Sequence, residues 1–387
     1  MMGILLFLLL TPWIIFPVVI KLISYFVDNE SDESDESDES DESDESDESK
    51  ISVIIASCNE EDNIKTRIDN IFNLNYSNNM LEVIVASDGS TDRTVQYANE
   101  MSKLYNVKVV ESKKQLGRAG IQNLAVKQAS NEILVFSDAD TTFDNEFFRK
   151  ISEAFLDNDV GYINGRLVYI NKDDTSITKD SSLFWRFEMF LRKTETKLGI
   201  YLFGTGACSA VRRDLFIDLE PIDDIDFTTP LDVVIQGYKC IHLESAIAYD
   251  IYPDTPKKEF SARVRMTSKN LIGTIRRWGI IGIVKHPVYS LVLLAHKILR
   301  WFFPFIFLIH LSLSLTLTEL APLSMVVNIL GVVFLLFALF YELSNQRYSK
   351  LSYFYNFTMV NIAFMMGIWK VITGNVQSFY KPINKVK

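Results

Sequence analysis

"EILVFSDADTTF", residues 132–143, decides the fold. Ile133 to Phe136 is a short apolar run with the length and β-branching of a buried strand. It stops at Ser137, and two carboxylates follow at a spacing of two, Asp138 and Asp140. Upstream, the same kind of run recurs at Ile51 to Ala56, Leu81 to Ala86 and Val107 to Val110. Between these runs the spacing is helical. Glu60 to Leu74 sets Ile64, Ile68, Ile71 and Phe72 on one side, and Thr91 to Leu104 and Arg118 to Ala129 follow the same logic. Strands that are apolar throughout and alternate with helices predict a mostly parallel, doubly wound α/β sheet.

In such sheets ligands bind beyond the carboxyl ends of the strands. Asp88 follows the second strand, in "SDGSTDRT", and Asp138 and Asp140 follow the fourth, so all three are expected over one crevice. Carboxylates gathered there need a cation or hydrogen-bond donors to offset their repulsion. With no Cys or His among them, the hard oxygen set suits Mg²⁺ or Mn²⁺, ions that keep waters and bridge to substrate phosphates. A single Asp in a loop is more simply a helix cap or turn residue, which is the reading for Asp92. No Gly-x-Gly-x-x-Gly follows the first strand, where "SCNEEDN" stands, so a dinucleotide-binding oxidoreductase is excluded.

Four stretches in order, "VIIASCNEEDNI", "VIVASDGSTDRT", "GRAGIQNLAV" and "FSDADT", resemble the family 2 glycosyltransferases, inverting enzymes of the GT-A fold. The likeness runs from Ile51 to about Arg277 and extends loosely to membrane segments on either side, as in polysaccharide synthases such as those making hyaluronan, cellulose or poly-N-acetylglucosamine. The resemblance implies that Asp88 binds the uracil or ribose of a nucleotide sugar and that Asp138 contacts its ribose or sugar. It implies that Asp140 coordinates a divalent metal holding the diphosphate. Arg118, and Arg263 and Arg265 in "EFSARVRMTSKNL", are implied donor-binding residues, the last two on the diphosphate. "FGTGACSAVRRDLF", residues 203–216, resembles the acceptor loop, which makes Gly204, Thr205 and Gly206 the acceptor-binding residues. An inverting transfer also needs a general base. Counting back from Gly237-Tyr238 in "DDIDFTTPLDVVIQGYK" places Asp226 there, with Asp223, Asp224 and Asp232 as nearby competitors. The processive Gln-x-x-Arg-Trp motif is incomplete: "TIRRW", residues 274–278, has Thr in place of Gln.

The 387 residues suffice for a sizeable core. Residues 1–27 hold an apolar run, Gly3 to Val27, interrupted only by Lys21. It is long enough to cross a hydrocarbon layer and has neither the basic start nor the small-residue cleavage site of a signal peptide. Val288 to Leu317, Leu320 to Phe340 and Tyr353 to Thr373 are further apolar runs, which gives one crossing before the polar region and about three after it. The expected organisation is an anchor at 1–27, a linker at 28–50, the GT-A domain at 51–287, a membrane region at 288–376 and a tail at 377–387. Lys and Arg concentrate between Lys50 and His286, and Arg347 and Lys350 lie between the last two runs, which predicts a multi-pass cell-membrane protein with its catalytic domain in the cytoplasm. The three lysines of the tail then conflict with that rule if all four runs cross.

Ser31 to Glu48 is six copies of Ser-Asp-Glu, and Asp28 to Ser49 holds fourteen acids and no base. Removing those fourteen acids from a net charge of −10 leaves +4, so the acidity belongs to the linker, which reads as an extended, disordered spacer. Cys58, Cys208 and Cys240 are scattered and odd in number, unlike a disulfide framework or zinc site. The expected function is transfer of a sugar from a nucleotide-sugar donor, a UDP-sugar by the family likeness, to a glycan or lipid-linked acceptor. The alternatives are a processive synthase that also secretes its polymer and a non-catalytic membrane scaffold. The expected partners are donor, acceptor and membrane lipids, with no nucleic acid.

Overall fold

A computed structural model describes residues 1–31, 48–170, 183–251, 256–316, 322–344, 347 and 351–376. Most of the Ser-Asp-Glu linker and the tail after residue 376 lie outside the described residues. Two compact units are present. One contains Ile23–Tyr252 and Gly273–Tyr289, the other Met1–Leu22, Pro253–Ile272 and Ser290–Val376.

The first unit is built on an eight-stranded sheet. Its strands are β1 (Ile51–Ser57), β2 (Leu81–Asp88), β3 (Val107–Ser112), β4 (Ile133–Asp138), β5 (Thr142–Phe143), β6 (Val160–Ile170), β7 (Ser209–Arg212) and β8 (Lys239–Ile251), in the order β3-β2-β1-β4-β7-β6-β8-β5. β3, β2, β1 and β4 are parallel, β7 runs antiparallel to both β4 and β6, and β6 and β8 are parallel. Continuous apolar strands need cover on both faces. Val53, Ile55, Val83, Val85 and Val135 pack with Ile64, Ile68 and Ile71 of the helix Ile64–Phe72. The alternate residues Ile54, Ile84, Leu134 and Phe136 are fully buried as well, and the helix Gly117–Val126 packs on β1 and β2. The register fixes the functional edge: Ala56 pairs with Ala86 on one side and Asp138 on the other, so the ends of β2 and β4 flank the end of β1.

Among the described residues three helices, lying mostly in the second unit, are long and apolar enough to cross a membrane, Met2–Val27, Pro287–Leu315 and Pro322–Leu343. The first two each contain a π-helical turn, Thr11–Ile15 around Pro12 and Leu294–Ile298. A widened turn absorbs the amide that Pro12 lacks. Trp13 packs at 5.4 Å from Phe357, and Phe334 packs at 4.6 Å from Phe354. His310 meets Asn328 across 3.0 Å, and Asn328 donates to Ser314 Oγ at 2.7 Å, polar contacts that join two apolar helices. The fourth apolar run is also helical, Ser352–Ile372, but its composition falls short of the other three.

Candidate active site

Asp88 ends β2, and both of its carboxylate oxygens accept from the next loop. Leu116 N–H donates to Oδ1 at 2.6 Å and Gly117 N–H to Oδ2 at 3.0 Å. Asp88 thus fixes the start of the helix Gly117–Val126, where a negative charge is favoured. That start carries Arg118, whose Nη2 donates to Asp138 Oδ1 at 2.5 Å and to the Gly206 carbonyl at 3.2 Å. Asp138 foremost, then Asp226, Asp224 and Asp140, stabilise the Arg118 charge and raise its pKa. One arginine therefore faces the turn after β4, the glycine loop and the start of the helix Ile225–Ile235 together. Two of the three strand-end acids are offset by donors, two backbone amides for Asp88 and a guanidinium for Asp138. Asp140 lies exposed in the turn after β4. Asp92 is a turn residue, accepting from the Thr94 N–H two positions on at 3.0 Å.

The glycine loop at Gly204–Gly206 is held by several elements. Gly204 N–H donates to the Asp226 carbonyl at 2.8 Å, tying the glycine loop to the first turn of the helix Ile225–Ile235. A Cβ on Gly204 would stand 2.0 Å from the Tyr162 hydroxyl and 2.9 Å from that carbonyl, so packing alone demands glycine here. Thr205 N–H donates to Asn164 Oδ1 at 2.5 Å, and Arg192 Nη1 donates to Thr205 Oγ1 at 3.1 Å. Of the four candidate bases, two have other work. Arg277 donates to Asp223 Oδ2 at 2.5 Å and to Asp232 Oδ2 at 3.0 Å, and both acids are buried. Asp224 and Asp226 remain partly exposed at the helix start.

Residues 52–220 match the family described as Glycosyl transferase family 2. Over that stretch, less than half of the chain, the sequence is similar to the family 2 glycosyltransferases. Among curated proteins, a dolichol-phosphate mannosyltransferase from Pyrococcus furiosus is 37% identical over 123 residues, 31% of this chain and 34% of its own length. A poly-beta-1,6-N-acetyl-D-glucosamine synthase from Staphylococcus epidermidis is 31% identical over 123 residues, 32% of this chain and 29% of its own. The match thus spans about a third of each relative. A mannosyltransferase from Pyrobaculum calidifontis, solved with GDP-Man and Mn²⁺, superposes with a TM-score of 0.64 at 18% identity, covering 96% of this chain and 98% of its own. That likeness shows the GT-A fold.

Within the glycosyltransferase domain, Asp88, Arg118, Asp138 and Gly206 form one connected set of contacts, and Gly204 links that loop to Asp226. Arg263 and Arg265 lie on the helix Pro256–Gly273, mostly in the other unit, where Val264 and Thr267 sit against Gly367. Arg263 pairs there with Glu259 at 3.1 Å. "TIRRW" has a definite place: Arg276 and Arg277 face the acids beside the base helix rather than a lipid surface. Among the described residues no three His, Cys, Asp or Glu groups gather to hold an ion. Asp140, with Asp138 two residues away, fits a hard cation that takes one or two carboxylates and completes its shell with water and phosphate. Asn164, Arg192 and His242 escape sequence reading. They form a buried support behind Thr205, with Asn164 3.1 Å from His242 Nδ1, and burial pushes the His242 pKa down to about 3. Buried polar residues far apart in sequence leave no periodic signal.

Proposed function

We propose that the protein is a membrane-bound inverting glycosyltransferase that moves a sugar from a nucleoside diphosphate donor to a hydroxyl of a glycan or lipid-linked acceptor. The observation that carries this is Arg118, which bonds Asp138 and the Gly206 carbonyl at once and so binds the donor turn to the acceptor loop. Asp88 orders the loop under the nucleoside, and its carboxylate keeps acceptor capacity beyond the two amides it holds. Asp138 meets the ribose or sugar. Asp140 holds a divalent cation, which offsets charge developing on the departing diphosphate. Asp226 takes the proton of the attacking hydroxyl as the bond to the anomeric carbon forms from the face opposite the diphosphate, inverting an α-linked donor to a β-linked product. Arg263 and Arg265 are assigned to the diphosphate.

The test is release of nucleoside diphosphate by the full chain in nanodiscs. The donor panel includes UDP-sugars, expected from the family likeness, and GDP-mannose, bound by the structural neighbour. Release that needs Mn²⁺ or Mg²⁺, stops in EDTA and is lost in Asp140→Ala supports the proposal. No nucleotide binding by wild type would sink it in favour of a scaffold. A second reading, processive synthesis, is favoured by the similarity to the poly-N-acetylglucosamine synthase. Product length separates the two readings: one added sugar, or a long polymer.

A further inference from the structure

The helix Ile64–Phe72 buries Ile64, Ile68 and Ile71 against the sheet, yet the same buried surface includes a charge. Arg67 is 2% exposed. Its Nη2 donates to Ser137 Oγ at 2.8 Å, its Nη1 bonds Asn70 Oδ1, and its guanidinium lies 3.9 Å from the centre of the Phe143 ring. Asn70, one turn along the helix, accepts from Phe143 N–H at 2.9 Å and donates to the Phe143 carbonyl at 3.2 Å. Residues 137 and 143 are therefore both held to one helix face. Between them lies the turn carrying Asp138 and Asp140.

A buried guanidinium is costly unless its charge is answered. Among the described residues no carboxylate reaches Arg67 as an ion pair. Its compensation acts through space: burial lowers the Arg67 pKa to about 9, while Asp138 and then Asp140 raise it, so it stays charged at neutral pH. Within the turn itself, Arg67 and Arg118 both offset Asp138 and Asp140, although Arg118 is also shared with Asp226 and Asp224. A bare divalent cation entering that turn therefore meets less net negative charge than the carboxylates alone would present. The same cation arriving with a diphosphate does not face that balance, because the phosphates bring their own negative charge.

We propose that Arg67 is a positioning residue for the Asp138–Asp140 turn, and that its buried charge makes divalent-cation binding there conditional on the nucleoside diphosphate. The proposal rests on the glycosyltransferase reading. It goes further by assigning the order in which the ligands are held to a residue outside the crevice.

Mn²⁺ binding, read from the loss of the free-ion electron paramagnetic resonance signal, tests this on the full chain in nanodiscs with and without UDP or GDP. Wild type is expected to bind Mn²⁺ at least ~10-fold more tightly with the diphosphate than without it. Arg67→Gln keeps hydrogen-bonding capacity towards Ser137 and Asn70 but removes the charge. It is expected to tighten nucleotide-free Mn²⁺ binding by about tenfold, whereas Arg67→Lys, which keeps the charge and loses the planar fork, is not. A purely structural role would weaken Mn²⁺ binding in both variants and overturn the proposal, as would a Gln variant within twofold of wild type. Should the Gln variant fail to melt cooperatively, the wild-type comparison decides: equal Mn²⁺ affinity with and without diphosphate overturns the proposal. Wild type that binds neither nucleotide fails the parent reading, a result distinct from nucleotide binding with no effect on Mn²⁺.

Discussion

Asp226 and Asp232 lie on one helix and have opposite fates. Asp226, partly exposed in the first turn, lies outside the Arg277 clamp, and its carbonyl accepts from Gly204 of the glycine loop. Asp226→Asn is expected to cut kcat by about 10²–10⁴-fold while leaving nucleotide affinity unchanged, measured by steady-state kinetics beside calorimetry. Asp232 is buried, shares Arg277 with Asp223, and burial pushes its pKa up to about 7. Between pH about 4 and about 7 the folded chain keeps a proton here that the unfolded chain releases. This contribution to stability is therefore largest at the acid end and is lost as pH rises through about 7. Asp232→Asn removes that dependence. Melting of wild type and variant between pH 5 and 8 should converge at acid pH and favour the variant at pH 8. Each kcal/mol of difference corresponds to roughly 2–4 °C in a domain of this size. A constant difference across that range would show that Asp232 does not titrate there.

At the scale of elements, the glycine loop depends on one missing side chain. Gly204→Ala places a Cβ against the Tyr162 hydroxyl and the Asp226 backbone, and overpacking of this kind costs about 1–3 kcal/mol. Because the loop is tied to the base helix, the cost should appear in acceptor KM and kcat as well as in melting. Adding Tyr162→Phe removes the 2.0 Å contact and leaves the ring carbon at 3.0 Å, so the double variant should recover part of both losses. No recovery would place the strain in the Asp226 backbone alone. Arg277→Ala should destabilise the domain by about 3–5 kcal/mol, because it leaves Asp223 and Asp232 buried without their shared cation. These elements were unequally legible. β1, β2 and β4 announce themselves because they are buried on both faces, and Asp88, Asp138 and Asp140 follow from where β2 and β4 stop. β6 to β8 do not, since β7 enters antiparallel between β4 and β6 and is only four residues long. Arg67 was hidden for another reason: an arginine in an amphipathic helix reads as its solvent face, and only the turn from Ser137 to Phe143 explains its burial.

For the whole molecule, composition and packing differ on the last helix. Ser352–Ile372 carries Asn361, which lowers its apolar content, but Asn361 is 9% exposed and donates to the Phe357 carbonyl at 2.8 Å. Ile362, Met366, Trp369 and Ile372 face outward instead, all apolar and 41–72% exposed. With Asn361 inside, and the exposed Asn356 and the partly exposed Lys370 towards its two ends, the helix suits lipid, and 21 residues span roughly 30 Å. We therefore expect four crossings, with the tail opposite the glycosyltransferase domain in spite of its three lysines. The cysteines make this measurable. Cys208 and Cys240 are buried, and Cys58 is the partly exposed one. Burial, then Asp88, raise the Cys58 pKa, so labelling is run above pH 8. A membrane-impermeant maleimide should label Cys58 in inverted vesicles and not in right-side-out ones. A cysteine introduced as Lys385→Cys in a Cys58→Ser background should show the reverse. Labelling of both from one face would mean that Ser352–Ile372 does not cross, and the tail lysines would then obey the charge rule that four crossings break.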